Sequence, residues 1–149
     1  MRSYNGFSPA RRMEADAWLK AGVAAGRLEP PSRCMACGET RGIIDYHAED
    51  YSQPFTAEKL AAIPLCFRCH MMLHARFRNP ARWRRYIEQL EAGAMYRPLM
   101  SRGEIGEINR PGWVDAPIDI GPPRGTLAFF RSLVTSRARD SRQPMLFEI

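Results

Sequence analysis

Two Cys-x-x-Cys pairs constrain the fold of this 149-residue chain more than any other feature. The pairs are Cys34 with Cys37 and Cys66 with Cys69. The two-residue spacing lets a tight turn aim both sulfurs at one ion, and four thiolates make a closed tetrahedral zinc shell of the structural kind. We therefore predict one structural zinc ion, whose binding free energy becomes folding free energy. The alternative is four buried, reduced cysteines without a metal.

The composition supports this interpretation of the cysteines. Apolar residues make up 45% of the chain, as is typical of a globular protein. No apolar run approaches the roughly 20 residues of a membrane-spanning helix, and the first residues lack the apolar stretch of a secretory signal. We therefore expect a cytoplasmic protein with no membrane partner, in a compartment where thiols stay reduced.

Helix and turn signals divide the chain into four segments. These are an N-terminal helix in 1–31, a metal-binding domain in 32–93, a Pro- and Gly-rich irregular segment in 94–125, and a C-terminal helix with a tail in 126–149. We predict helices over 9–25, 57–62, 67–77, 80–92 and 126–137, and a strand over 41–46. The expected fold class is α+β, mostly helical.

Apolar residues recur at helical spacing in two of these helices, which predicts the faces that they bury. The expected face of the first helix consists of Met13, Ala17, Ala21 and Ala24, with Trp18 close to it. That of the helix over 80–92 consists of Trp83, Ile87 and Leu90, with Tyr86 beside it.

All three histidines of the chain lie between the cysteine pairs or directly after them. His70 and His74 are one helical turn apart, so both rings can reach one point, and His47 lies between the two pairs. Three histidines confined to one metal-binding segment favour a second metal site. The alternatives for His70 are a zinc ligand or a packed neighbour.

Positive charge is concentrated in one stretch of the chain. The net charge is +6, and the stretch from Cys66 to Tyr86 has six arginines and no Asp or Glu. These are Arg68, Arg76, Arg78, Arg82, Arg84 and Arg85. Guanidinium groups bind phosphates through their planar fork, so the stretch predicts a nucleic-acid-binding surface. A solvated helix face is the alternative.

The order of these motifs resembles the HNH endonuclease family. The resemblance lies in the first cysteine pair, a histidine at a strand end, the run Leu65-Cys66-x-x-Cys69-His70-x-x-x-His74, and the segment from His47 to Pro54. It covers residues 32–93 and implies a zinc-stapled ββα-metal core flanked by the N- and C-terminal helices. It also implies a hairpin that presents a general-base histidine and a metal ligand, a helix that supplies further ligands, and one divalent metal at the scissile phosphate.

The same resemblance implies the roles of individual residues. His47 is the expected catalytic residue, and the expected ligands of a divalent metal such as Mg, Mn or Ni are His70 and His74 with Asp45 or Asp50. The family places a ligand and a base side by side on the hairpin. If His47 is the base, Tyr46 occupies the ligand position; if His47 is the ligand, Ala48 occupies the base position. The brace that the family supplies as Asn falls on Ala61.

Both aspartates also have structural alternatives, since Asp50 can cap a turn and Asp45 can pair with an arginine.

The function expected from the resemblance is metal-dependent hydrolysis of DNA phosphodiester bonds with little sequence specificity, with RNA as an open alternative. Ala48 and Ala61 favour a second hypothesis, in which the chain is a zinc-stapled nucleic-acid-binding adaptor whose nuclease site has decayed.

The last residues carry one further motif. Gln143, Leu146 and Phe147 stand at the spacing of the peptide by which bacterial replication and repair proteins bind the DNA sliding clamp, although Pro144 departs from that pattern. The resemblance implies the sliding clamp as a partner. The alternative is an apolar tail that packs on the core of this protein.

Overall fold

A computed structural model of the chain describes residues 1–104, 106, 117–133 and 135. The fold class is α+β, with helices and two small antiparallel sheets of two strands each. Contacts group the described residues into two compact units. One consists of Met1–Pro30 with Ala48–Ala62, and the other of Pro31–His47 with the described part of Ile63–Thr135. No helix among the described residues is both long and apolar enough to cross a bilayer.

The first unit contains two helices, each capped at its N-terminus by a side chain. Helix α1 spans Pro9–Ala24, and the Ser8 hydroxyl caps it by accepting a hydrogen bond from the backbone N–H of Arg11. Helix α2 spans Ala57–Leu60, and the Thr56 hydroxyl caps it in the same way. Both helices are observed where they are predicted, and α2 is two residues shorter.

The predicted buried face of α1 is wrong. Met13 is 60% exposed, and α1 instead buries Ala15 and Gly22. The reason lies after the helix, where the chain turns back and packs Leu28 so tightly on Gly22 that a Cβ there would lie 2.7 Å from a Leu28 methyl carbon. A helix this rich in alanine has little apolar area to orient it, so the returning chain decides which face is covered.

The second unit contains a hairpin-like pair of strands that leads into a helix. Strand β1, Ile44–His47, pairs antiparallel with strand β2, Ile63–Cys66, in a register that sets Ile44 opposite Cys66 and His47 opposite Ile63. Helix α3, Phe67–Ala75, follows β2 without a loop. Its N-cap is Cys66, whose sulfur accepts the backbone N–H of Cys69 at 3.5 Å. The end of one strand and the first turn of α3 thus come from one continuous segment.

Helix α4 packs beside α3 and supplies much of the core of this unit. It spans Pro80–Glu91, and the Asn79 side chain caps it by accepting the backbone N–H of Arg82. The predicted apolar face is confirmed: the buried residues of α4 are Trp83, Tyr86, Ile87 and Leu90. Helix α5, Ala128–Ser132, adds Phe130, whose ring meets that of Trp83 edge to face.

The Pro- and Gly-rich segment contains short elements where an irregular chain is predicted. Strand β3, Ala94–Met95, pairs antiparallel with strand β4, Asp119–Ile120, and a 3₁₀ turn spans Arg102–Glu104. The predicted helix over 126–137 is shorter, because Leu133 already has extended backbone angles. Residues 134, 136 and 137 lie outside the described residues.

Candidate metal centres

The first cysteine pair lies on a tight turn. The backbone N–H of Gly38 donates to the Cys34 carbonyl at 2.9 Å, and Gly38 has a φ of 78°, a conformation that a side chain disfavours. The backbone N–H of Met35 donates to the Pro64 carbonyl at 2.8 Å. This bond ties the turn to strand β2, which ends at Cys66, so the two cysteine pairs are brought together by backbone contacts.

The four predicted zinc ligands form one cluster. Their sulfur atoms all lie within 4.8 Å of one another, and the sulfurs of Cys37 and Cys66 are 3.8 Å apart. A tetrahedral zinc ion with bonds of about 2.3 Å sets its sulfurs about 3.8 Å apart. Cys34, Cys66 and Cys69 are buried, and Cys37 is partly buried. The cluster could hold a metal ion, and its donor set and spacing fit structural zinc.

The electrostatics of the cluster also favour a cation. The thiols of Cys37, Cys66 and Cys69 donate to the sulfur of Cys34 and hold its pKa far below the usual range. The same hydrogen bonds to Cys34, together with burial, raise the pKa of Cys66 and Cys69. Without a metal, four buried thiols cannot all ionise, because each negative charge opposes the next. A divalent ion compensates that charge and displaces the protons.

Tyr86 reaches this cluster from helix α4. Its hydroxyl lies 3.1 Å from the sulfur of Cys69, and its side chain is 1% exposed. Burial, followed by the nearby sulfur charge, raises the pKa of Tyr86 well above its usual value. The sequence places Tyr86 only beside an apolar stripe, and no motif marks it as a neighbour of the cysteines.

The three histidines form a second cluster, which shares helix α3 with the cysteine cluster. His47 ends strand β1, while His70 and His74 lie one turn apart on α3. The Nε2 atom of His70 lies 3.1 Å from Nδ1 of His47 and 3.1 Å from Nε2 of His74. His47 is 1% exposed, and the other two rings are half-buried. The histidines that the sequence groups together thus converge on one point.

This convergence suits a metal better than hydrogen bonds alone. The Nε2 atom of His70 offers either one proton or one lone pair, and it faces two other ring nitrogens. A single proton on this nitrogen cannot form good hydrogen bonds to both of the other rings. A cation, in contrast, accepts a lone pair from each of three neutral imidazoles. The histidine cluster could therefore hold a metal ion, and imidazole donors suit zinc, nickel, copper and iron.

The two aspartates considered as ligands have other contacts. Asp45 accepts a hydrogen bond of 2.9 Å from the Arg102 guanidinium and is not among the residues whose ligand atoms converge. Asp50 is exposed and accepts the backbone N–H of Ser52 at 2.8 Å, and hydrogen bonds from the side chain and then the backbone of Ser52 lower its pKa. These contacts match the alternative readings of both residues, an arginine pair for Asp45 and a turn cap for Asp50.

Two of the six arginines predicted to bind nucleic acid, Arg68 and Arg76, are buried. Arg68 donates to the Arg97 carbonyl and lies 5.2 Å over the ring of Tyr96. Arg76 is 1% exposed and lies 4.1 Å over the ring of Phe77. Guanidinium planes pack well on aromatic rings, so these two side chains are used inside the fold.

The other four arginines reach the surface to different extents. Arg78, Arg84 and Arg85 are exposed, while Arg82 is half-buried. Arg84 donates to the Thr135 hydroxyl at 3.1 Å. Arg84 and Arg85 therefore lie on the side of α4 opposite its buried face.

Comparison of the chain with protein-family models, with curated proteins and with solved structures gives no match. The residues predicted to bind the sliding clamp, Gln143, Leu146 and Phe147, lie outside the described residues. The two clusters of ligating side chains are thus the main structural support for a function.

Proposed function

We propose that this protein is a metal-dependent, HNH-like nuclease that hydrolyses phosphodiester bonds in DNA with little sequence specificity. The observation that carries the proposal is the convergence of the His47, His70 and His74 ring nitrogens in a chain that also clusters four cysteine sulfurs. Both clusters draw ligands from α3, in the order Cys69, His70, His74 that underlies the family resemblance. We further infer a cytoplasmic protein, because reduced thiols are required for the cluster.

The arrangement of elements supports a zinc-stapled ββα-metal core as the finer description of the fold. Strands β1 and β2 are antiparallel, and α3 follows β2 directly. In this interpretation the cysteine cluster fastens the start of α3 to the strands. The histidine cluster then joins the end of β1 to the middle of α3, where a substrate phosphate would bind.

We infer that His47 is a metal ligand and not the general base. Its Nδ1 atom faces the same point as the nitrogens of His70 and His74, so its lone pair is directed at the metal position. On this assignment Ala48 occupies the base position of the family. Three imidazoles form a donor set that favours nickel or zinc over magnesium, which prefers oxygen ligands.

The residues of the chain would divide the catalytic work as follows. His47, His70 and His74 would hold a divalent metal, which supplies Lewis-acid stabilisation of phosphoryl oxygens when it is bound. Burial of His47 keeps water from one side of the cluster. Arg84 and Arg85 are exposed on α4 and would add phosphate contacts that carry no base specificity. These contacts suit DNA and, equally, an RNA backbone.

Ala48 specifically favours the second hypothesis, a nucleic-acid-binding adaptor whose nuclease site has decayed. A methyl group cannot take a proton from water, and the nearest carboxylate on β1, that of Asp45, is paired with Arg102. The two hypotheses share the metal sites and the basic surface. They differ in whether a metal-loaded protein cleaves DNA.

A plasmid-nicking assay with nickel, manganese or magnesium separates the two. The nuclease hypothesis expects metal-dependent nicking by the wild-type protein and a loss of at least about 100-fold in His74→Ala purified by the same route, because the variant removes a ligand. Salt-sensitive DNA binding without cleavage in any of these metals would leave the adaptor. Equal nicking by both proteins would reject the proposed site.

We also infer that the tail binds a bacterial sliding clamp. Gln143, Leu146 and Phe147 supply a polar group and two apolar anchors at the spacing of clamp-binding peptides. A peptide of residues 140–149 should bind the clamp of the source organism weakly, and the same peptide with Phe147→Ala should lose binding. Equal affinity of the two peptides would reject this partner.

A further inference from the structure

A buried hydrogen bond between side chains joins helix α4 to the cysteine cluster. The Tyr86 hydroxyl lies 3.1 Å from the sulfur of Cys69, and each side chain is 1% exposed. Because both groups are buried, water cannot easily substitute for either partner. The bond therefore joins a prospective metal ligand to an element that carries none of the cysteines.

A bound metal determines the direction of this hydrogen bond. A cysteine that ligates zinc is a thiolate without a proton, so its sulfur can only accept. A tyrosine hydroxyl carries one proton that it can donate. With metal in the cluster, Tyr86 is the donor and the sulfur of Cys69 is the acceptor.

We propose that Tyr86 is a positioning residue for the cysteine cluster, which holds the Cys69 thiolate in its metal-binding geometry and slows the loss of the metal. The proposal rests on metal binding by the four cysteines, which is part of the proposed function, but not on nuclease activity. A hydrogen bond to a ligand orients it and withdraws charge from it. Loss of such an outer partner typically costs about 10–100-fold in metal affinity.

Tyr96 provides a matched control for the loss of a buried hydroxyl. It is also buried, and its ring lies 5.2 Å from that of Tyr86. Its hydroxyl donates to the side-chain carbonyl of Gln89, away from the cysteines. Tyr96→Phe thus removes the same atom from the same aromatic cluster without removing a partner of a ligand.

The test uses the full chain loaded with cobalt(II), because thiolate-to-cobalt charge-transfer bands report on the sulfur ligands. We expect Tyr86→Phe to shift these bands to lower energy and to weaken metal binding about 10–100-fold in competition with a chelator. Tyr96→Phe should leave both quantities at wild-type values. Identical spectra and affinities in the two variants would overturn the role of Tyr86. Absence of charge-transfer bands in the wild-type protein would overturn metal binding by the cysteines, and the role of Tyr86 with it.

A measurement on the wild-type protein covers the case in which Tyr86→Phe does not fold. With ¹¹³Cd in the cluster, the Tyr86 hydroxyl proton should exchange slowly with solvent and show scalar coupling to the metal through the sulfur. A hydroxyl proton that exchanges rapidly and shows no coupling would reject the hydrogen bond.

Discussion

The cysteine and histidine clusters draw on the same helix, but they differ in donor number and in access to solvent. The cysteine cluster has four sulfurs, three of them on buried residues. The histidine cluster has three nitrogens, and the rings of His70 and His74 are only half-buried. Four protein ligands close a tetrahedral metal site, whereas three leave a position for water or substrate. On the proposed function, the adjacent residues Cys69 and His70 therefore belong to a structural site and to a reactive site.

The largest expected effect is the loss of the fold when the cysteine cluster is broken. Cys66→Ser removes a thiolate ligand but keeps a side chain that can cap α3, so the effect reports on the metal site. Apparent binding free energies of structural zinc are about 10–16 kcal/mol in small zinc domains, so most of the stability of this unit should depend on the ion. Circular dichroism and zinc analysis should show an unfolded, zinc-poor protein. A variant that is folded but free of zinc would show that the cysteine cluster is not needed for folding.

Breaking the histidine cluster should weaken binding of the second metal but leave the protein folded. We expect His74→Ala to retain its zinc and its circular dichroism, because half-buried His74 contributes less to the core than Cys66. It should lose at least about tenfold in affinity for nickel, as measured by calorimetry on zinc-loaded protein. Unfolding of His74→Ala would show that the histidines are structural as well.

A smaller effect is expected at the turn that presents the first cysteine pair. Glu39 is buried and accepts bonds from the backbone N–H groups of Thr40 and Arg41 and from the Arg41 guanidinium. Since Arg41 is mostly exposed, we expect Glu39→Gln to destabilise this unit by only about 1–2 kcal/mol in urea unfolding of zinc-loaded protein. No loss of stability would show that the metal alone holds the turn.

The same carboxylate predicts a pH dependence. The hydrogen bond from the Arg41 side chain lowers the pKa of Glu39 below its usual value of 4.5. Its contribution to stability is therefore complete above the pKa of the unfolded chain and is lost as the pH falls through the lowered pKa of the folded chain. The stability difference between wild type and Glu39→Gln should shrink over that acidic range, provided that the metal stays bound. A difference that is constant with pH would assign the effect to packing.

The smallest effects concern the exposed arginines of α4. Arg85→Ala removes one exposed guanidinium and should reduce the slope of log affinity for DNA against log salt by about one. Lys20→Ala is the matched control, because it removes one exposed positive charge from α1, outside the basic stretch. Equal slopes in the two variants would show that the surface of α4 does not bind DNA.

Local features of the sequence predicted the local structure well. The caps at Ser8, Thr56 and Asn79 use hydrogen bonds between neighbouring residues, so each can be recognised without knowledge of the fold. The apolar face of α4 was predictable because its residues are large and recur at helical spacing. The face of α1 was not, because Leu28 approaches from beyond the helix end.

The sequence by itself determined the local pairs of candidate ligands, because Cys-x-x-Cys and His-x-x-x-His spacings act within one turn of chain. Only the tertiary structure determined which distant residues contact these candidate ligands. The register of β1 on β2 brings His47 to the helix histidines, and the packing of α4 on α3 brings Tyr86 to Cys69. Packing also decided that Arg68 and Arg76 are buried. These contacts join residues far apart in the chain, and no local pattern encodes which distant surface a side chain will meet.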